Sequence, residues 1–133
     1  MKTHCINVLC VDDMAGIRCL LGAIVKEESH NSFYASNGVE ALEILETVHI
    51  DLVFLDIKLP VMDGLEVLEN IELLSYDPHV VALTGFSEQR VIDEAFGRGA
   101  NKCILKPFNV EDIRHIIREI ADEPVCAAKS RET

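Results

Sequence analysis

Three carboxylates, a hydroxyl and an amine in this 133-residue sequence each stand directly behind a short apolar run. Asp12 and Asp13 follow Ile6-Asn7-Val8-Leu9-Cys10-Val11. Asp56 follows Leu52-Val53-Phe54-Leu55, Thr84 follows Val80-Val81-Ala82-Leu83, and Lys106 follows Lys102-Cys103-Ile104-Leu105. The first three of these runs suit strands buried on both faces of a parallel sheet, and Lys102-Cys103-Ile104-Leu105 reads as a fifth strand. A charge is costly to bury, so each acid belongs at its strand's end, where water, a metal or a ligand can reach it. In open α/β sheets the ligand crevice lies outside the carboxyl ends of the strands, so these side chains converge on one rim.

Two carboxylates ~4 Å apart repel by roughly 4 kcal/mol at an effective dielectric of about 20, so three crowded acids call for a divalent cation. Oxygen ligands with no His or Cys nearby suit Mg2+, which keeps waters and takes one or two carboxylates together with phosphate. Lys106 would meet a second anion, and Thr84 can donate a hydrogen bond to it. A metal, a lysine and a hydroxyl around one carboxylate describe phosphoryl transfer to Asp56. Singly, each residue has a plainer reading. Asp12-Asp13 could sit at a helix N-terminus, Asp56 could begin a turn ahead of Pro60 and Gly64, Thr84 could end a strand, and Lys106 could be a solvated charge. Their joint placement favours the site.

The elements that must hold this set alternate strand with helix five times. Ile17, Leu20, Leu21, Ile24 and Val25 mark one face of a first helix. Ser32–Ser36 reads as a weaker strand near an edge. Asn37 caps a second helix with Val39, Leu42 and Leu45 on its apolar face, and Asp63 caps a third carried by Leu65, Leu68 and Ile71. Tyr76-Asp77-Pro78 marks a turn. A fourth helix is expected from about Ser87, with Val91, Ile92, Ala95 and Phe96 inward and Gly97 and Gly99 near its end. Asn109 caps the last helix, built on Val110, Ile113, Ile116, Ile117 and Ile120. Such alternation implies an α/β fold with parallel strands, right-handed crossovers and helices on both faces. One domain over residues 1–121 is expected, followed by an aperiodic, mobile tail over 122–133.

The net charge of −11, from 23 acidic and 12 basic residues, argues against nucleic acid or an anionic membrane as the main partner. Five cysteines without a C-x-x-C pair give no disulfide framework and fit a reducing cytoplasm. Cys5, Cys10, Cys19 and Cys103 lie in apolar contexts and read as small buried hydrophobes. No stretch reads as a targeting segment or a membrane span. The five histidines share no motif, and Arg114 and Arg118 read as solvated charges on one helix face.

Val11-Asp12-Asp13, Leu55-Asp56, Pro60-Val61-Met62-Asp63-Gly64, Leu83-Thr84-Gly85 and Lys106-Pro107-Phe108 together resemble the receiver domain of two-component response regulators. The likeness runs from about Cys5 to Ala121. Val11–Arg18 and Lys58 look most like the stand-alone regulators of sporulation phosphorelays. The resemblance implies a flavodoxin-like, doubly wound sheet of order 2-1-3-4-5 with five helices. It implies that Asp56 accepts phosphoryl from the phosphohistidine of a histidine kinase or histidine phosphotransferase, the chain catalysing its own phosphorylation without being a conventional turnover enzyme. Asp13 and the Ile57 carbonyl would bind Mg2+ with Asp56, and Asp12 would act largely through water. Lys106 would contact the phosphoryl oxygens and Thr84 would shift to bond them. Lys106–Pro107 is expected cis, against a base rate of about 5–6% for X–Pro bonds. The partner would dock around Asp56 on Met14, Ile17, Arg18, Lys58, Gly85, Phe86 and Pro107, with a cytoplasmic monomer acting as a phosphorelay intermediate. In one departure, Cys103 stands where many family members carry an aromatic that swings inward on phosphorylation.

Other chemistries fit less well. A haloacid dehalogenase-type phosphatase needs a second Asp two residues beyond the nucleophile, where this chain has Lys58. There is no P-loop, and Asp12-Asp13 would repel a flavin phosphate. A receiver-like interaction module that is never phosphorylated is the remaining alternative, as is a phosphorylation-dependent protein-binding switch.

Overall fold

The computed structural model describes residues 4–85 and 89–122. Phe86, Ser87, Cys126 and the tail from residue 123 lie outside the described residues, and with them the expectations placed there. Ten elements alternate without exception: β1 (Asn7–Val11), α1 (Ala15–Glu27), β2 (Asn31–Ala35), α2 (Gly38–Thr47), β3 (Leu52–Asp56), α3 (Gly64–Ile71), β4 (His79–Gly85), α4 (Gln89–Gly97), β5 (Lys102–Lys106) and α5 (Val110–Ala121). All strand pairs are parallel, in the order β2-β1-β3-β4-β5.

Side-chain alternation along the strands divides the core into two layers. Leu9, Val11, Val53, Leu55, Val80 and Ala82 face α2, α3 and α4, where they meet Leu45, Val67, Leu68 and Ala95. Val8, Cys10, Leu52, Phe54, Val81 and Leu83 face the other way, against Leu21, Ile24 and Val25 of α1 and Ile113, Ile116 and Ile117 of α5. Every residue of β3 is buried, as its unbroken apolar run requires. Caps end the helices as their sequences dictate: the Asn37, Asp63 and Asn109 side chains accept from the N–H groups of Glu40, Glu66 and Glu111.

Several expectations are corrected. Leu20, Val39 and Phe96 are exposed, not inward. Each sits one residue, or about 100° of helix rotation, from the line that is buried: Leu21-Ile24-Val25, Gly38-Ala41-Leu45 and Ala95. Cys5 and Cys19 are exposed, Cys103 is half-buried and Cys10 alone of the described cysteines is buried. The turn falls at Glu72–Leu73, while Tyr76 is buried, stacks on His49 with centroids 4.3 Å apart, and meets backbone atoms of Leu45, Val48 and Ile50 through its hydroxyl. Arg114 and Arg118 are not idle charges. Arg114 reaches Glu27 at 2.8 Å and Arg118 reaches Glu28 at 2.8 and 3.0 Å, clasping α5 to α1. The bonds from Arg118 hold the Glu28 carboxyl below the usual carboxylate range, against an upward push from burial.

Candidate functional site

Strand order builds the site. β1 and β3 are neighbours although β2 lies between them in sequence, so the chain reverses its winding direction at this pair and opens a crevice there. Val11 pairs with Leu55, and the next residue on each strand is Asp12 and Asp56. β4 runs beside β3 with Asp56 opposite Leu83, and β5 beside β4 with Lys106 opposite Gly85. Four strands thus deliver Asp12, Asp13, Asp56, Thr84 and Lys106 to one rim.

One oxygen from each of Asp12, Asp13 and Asp56 lies within 4.8 Å of the others. Asp12 is fully buried. Its Oδ1 accepts the Met14 N–H at 2.9 Å and its Oδ2 accepts from Lys106 Nζ at 2.7 Å. Its carbonyl accepts from Arg18 Nη1 at 2.7 Å, and its own N–H donates to Ala35 at 3.2 Å. Asp13 is exposed. Asp56 is 5% exposed, with Oδ1 accepting the Lys58 N–H at 3.2 Å and Oδ2 3.5 Å from Lys106 Nζ. Lys106 is therefore shared between two acids rather than left to a second anion alone.

Burial pushes the Asp56 carboxyl up to about 6, and repulsion from Asp12 adds to this. Lys106 and the Lys58 N–H pull it back, and Asp13 pushes it up again by a smaller amount. Burial alone would lower Lys106, but its bond to Asp12 and the charges of Asp56 and Asp12 outweigh burial and raise it. A charged lysine therefore faces an acid whose carboxyl burial has raised to about 6.

The donor set fits Mg2+. Three clustered carboxylates against one lysine leave an excess of negative charge, and every ligand atom is a hard oxygen. The Ile57 carbonyl accepts the Gly64 N–H at 2.8 Å, and the Ile57 N–H donates to Leu83 at 3.0 Å, which fixes the backbone behind Asp56. Thr84 is buried at the same rim, its Oγ1 3.4 Å from the Gly85 carbonyl. The Lys106–Pro107 bond is cis.

Of the residues expected to meet a partner, Met14 (58% exposed), Lys58, Gly85 and Pro107 are exposed around the crevice. Ile17 is half-buried against the α1–α5 layer. Arg18 is half-buried and bonded to Asp12, which makes it a positioning residue for the acid cluster. Phe86 is outside the described residues. Cys103 is half-buried against the α2–α4 layer, and burial pushes its thiol up.

Gly64 emerges with a second role. A Cβ there would stand 2.6 Å from both the Asp56 carbonyl oxygen and Ile57 Cα. In the sequence Gly64 shows only as the last residue of the Pro60–Gly64 motif and as a glycine opening a helix, where propensity disfavours it. Gly64→Ala is expected to push the Asp56–Ile57 backbone out of line, costing about 1–3 kcal/mol as overpacking does, a loss that urea unfolding reads.

The model of the response regulator receiver domain family matches residues 8–118. Over 113 residues the chain is 37% identical to the sporulation initiation phosphotransferase F of Bacillus subtilis, covering 85% of this chain and 91% of that protein. It is 34% identical to the chemotaxis protein CheY of Halobacterium salinarum, covering 86% and 95%. A chain in the co-crystal structure of the Saccharomyces cerevisiae histidine phosphotransfer signaling protein Ypd1 and the receiver domain of its downstream response regulator Ssk1 is also similar. It superposes with a TM-score of 0.81 at 28% identity, covering 91% of this chain and 92% of that one. The match spans both layers of the fold and all the strand ends that carry the acid cluster and its lysine, and the chain belongs to the response regulator receiver domain family.

Proposed function

We propose that this receiver domain is a phosphorelay intermediate whose phosphoacceptor is Asp56. The observation that carries the reading is the placement of Asp56: buried within a strand end, yet held against Lys106 at 3.5 Å and beside two further acids. An Asp56 oxygen bonds to phosphorus as the phosphorus–nitrogen bond of a phosphohistidine breaks, the electron pair returning to the imidazole, which is reprotonated from water. Transfer onward is the same exchange in reverse. Lys106 holds the acceptor carboxylate in place and stands ready to pair with phosphoryl oxygen. Thr84 offers a hydroxyl to the same group, and the Lys58 N–H fixes the rotation of the carboxylate. Asp13 and Asp56 would hold Mg2+, with Asp12 next to them, while the Ile57 carbonyl is engaged by the Gly64 N–H. Bound Mg2+ supplies neutralisation of the acids and of the phosphoryl oxygens.

A histidine donor must reach Asp56 directly, so its surface must cover the crevice mouth at Met14, Lys58, Gly85 and Pro107. The likeness to a sporulation phosphotransferase and to a receiver crystallised with a histidine phosphotransfer protein supports a donor of that kind. With a phosphorylated histidine phosphotransfer protein as donor, Met14→Glu is expected to slow initial transfer about tenfold, the effect of one poorly placed charge in a docking surface. Labelling by acetyl phosphate should be spared, and Arg118→Glu should change transfer much less. Label that reaches the chain but never passes to a second histidine protein would remove the relay role and leave a terminal receiver.

A further inference from the structure

The charge of the chain is not evenly spread. Residues 37–78 contain ten acids (Glu40, Glu43, Glu46, Asp51, Asp56, Asp63, Glu66, Glu69, Glu72 and Asp77) and one cation, Lys58, for a net charge of −9 out of −11. The remaining 91 residues therefore carry only −2. The concentration has a regular form on the surface. Glu40, Glu43 and Glu46 step along α2 and Glu66, Glu69 and Glu72 along α3, each at a spacing of three, and all six are exposed. The two helices pack side by side, with shared contacts to Val67, Leu45 and Leu68 beneath them.

Ser36 engages Glu40, and Arg98 meets Glu69 at 2.8 Å. Glu43, Glu46 and Glu66 have no side-chain partner among the described residues. Like charges at this spacing on a helix oppose it by a few tenths of a kcal/mol per pair, so Glu43 and Glu46, beyond the first turn of α2 and without a side-chain partner among the described residues, add nothing to the fold.

Where the two helices end there is a groove of about 280 Å³, lined by Leu45, Glu46, Asn70, Leu73, Leu74 and Tyr76. Leu73 stands 81% exposed on its edge. On its floor the Tyr76 hydroxyl bonds the backbone of Leu45, Val48 and Ile50. Ile50 precedes β3 and Asp56 ends it, so the groove lies at the opposite end of the central strand from the phosphoacceptor.

We propose that the α2–α3 face docks a cationic, amphipathic protein segment, with a leucine-sized side chain seated against Leu73 and Leu74 and lysines or arginines along the two acidic rows. Charge complementarity selects this occupant. Nucleic acid and anionic membrane carry the same sign as the rows and are repelled. A second copy of this chain would set glutamates against glutamates. A purely apolar partner would leave the rows desolvated without counter-charge. Because the groove is remote from Asp56, such a segment can bind while the crevice is engaged by a phosphodonor, which gives the domain two separable surfaces.

The test uses the full chain, isotopically labelled, and a short amphipathic peptide made only of lysine and leucine, with its glutamate–leucine counterpart as control. Amide shifts should move along α2, α3 and Leu73–Tyr76 and not at Asp12, Asp13 or Lys106. Affinity should fall steeply with added salt. The double variant Glu43→Lys/Glu46→Lys should weaken binding about tenfold or more, and Leu73→Ser should weaken it while leaving the salt dependence in place. Acetyl phosphate labelling should be the same in both variants and in wild type. Shifts centred on the acid cluster at Asp13, binding indifferent to charge reversal, or equal binding of the glutamate–leucine peptide would each overturn the proposal. Self-association of the wild type that Leu73→Ser abolishes would also overturn it, assigning the groove to a second copy.

Discussion

Replacing Lys106 by methionine is expected to cost the metal-free fold about 3 kcal/mol at neutral pH, the scale of loss when one partner of a buried ion pair is removed. Methionine keeps most of the length and volume of lysine, so the change is one of charge. Asp12 has no exposed surface, and its Oδ2 accepts from Lys106 at 2.7 Å. Without the amine, the buried carboxylates of Asp12 and Asp56 face one another at the strand end with Asp13 beside them. Lys106 has a raised folded-state pKa. Its stabilising contribution is therefore fully present below the lysine reference value of about 10.4 and lost only as pH rises through the raised value. At neutral pH the whole contribution is at stake. On acidification Asp56 takes up a proton, the repulsion relaxes, and the cost of Lys106→Met should shrink. Urea unfolding of both proteins at neutral pH and near pH 5, without divalent ions, reads this directly. A loss below about 1 kcal/mol at neutral pH, the worth of an exposed pair, would show that Lys106 is not holding the acids together.

Asp56→Asn should do the reverse and stabilise the metal-free protein. The Asp56 carboxyl is pushed up to about 6 from 3.8, chiefly by burial and then by Asp12. A raised folded-state value means that the folded chain holds its proton more tightly than the unfolded chain. That contribution is complete below about 4 and is lost as pH rises through about 6. Above that range the wild type carries an ionised Asp56 in an unfavourable place, at a cost of at most about 3 kcal/mol for a shift of this size. Asparagine carries no such cost. The stability difference between Asp56→Asn and wild type should therefore be small near pH 4, grow through pH 6 and level off above it. Glu28 and Glu40, whose values are lowered, give the opposite slope, but they are common to both proteins and cancel in the difference. Saturating Mg2+ should narrow the gap by binding the folded wild type. A difference that is flat from pH 4 to 8 would contradict the placement of Asp56 among the acids.

Much of this site could be read from one chain, for a physical reason. A strand buried on both faces must be apolar throughout, so the residue at which the run breaks is conspicuous. That is how Asp12 and Asp56 stand out, while Lys106 ends an edge strand whose residues are half-buried or exposed and meets them because the strands are parallel. The less legible residues act through the backbone or through neighbours distant in sequence. Arg18 bonds the carbonyl of Asp12, and a carbonyl leaves no mark in a sequence. Gly64 matters for the atoms its missing Cβ would strike, which only the folded loop reveals. Arg114 and Glu27, 87 residues apart, become partners because α1 and α5 cover the same face of the sheet. Leu20, Val39 and Phe96 show a different limit. Periodicity gives the direction of a helix's buried stripe, while its width depends on what packs against it, and here the stripes are narrow. The cap residues Asn37, Asp63 and Asn109 suffered no such ambiguity, since a cap is a local bond.

The central claim is that Asp56 is the acceptor. The most direct measurement is the intact mass of the protein after incubation with acetyl phosphate and Mg2+, made on wild type and on Asp56→Asn side by side. Wild type is expected to gain the mass of one phosphoryl group and to lose that gain when Mg2+ is chelated beforehand, and Asp56→Asn is expected to gain nothing. An equal gain in both proteins would place the phosphoryl group on another residue and contradict the account.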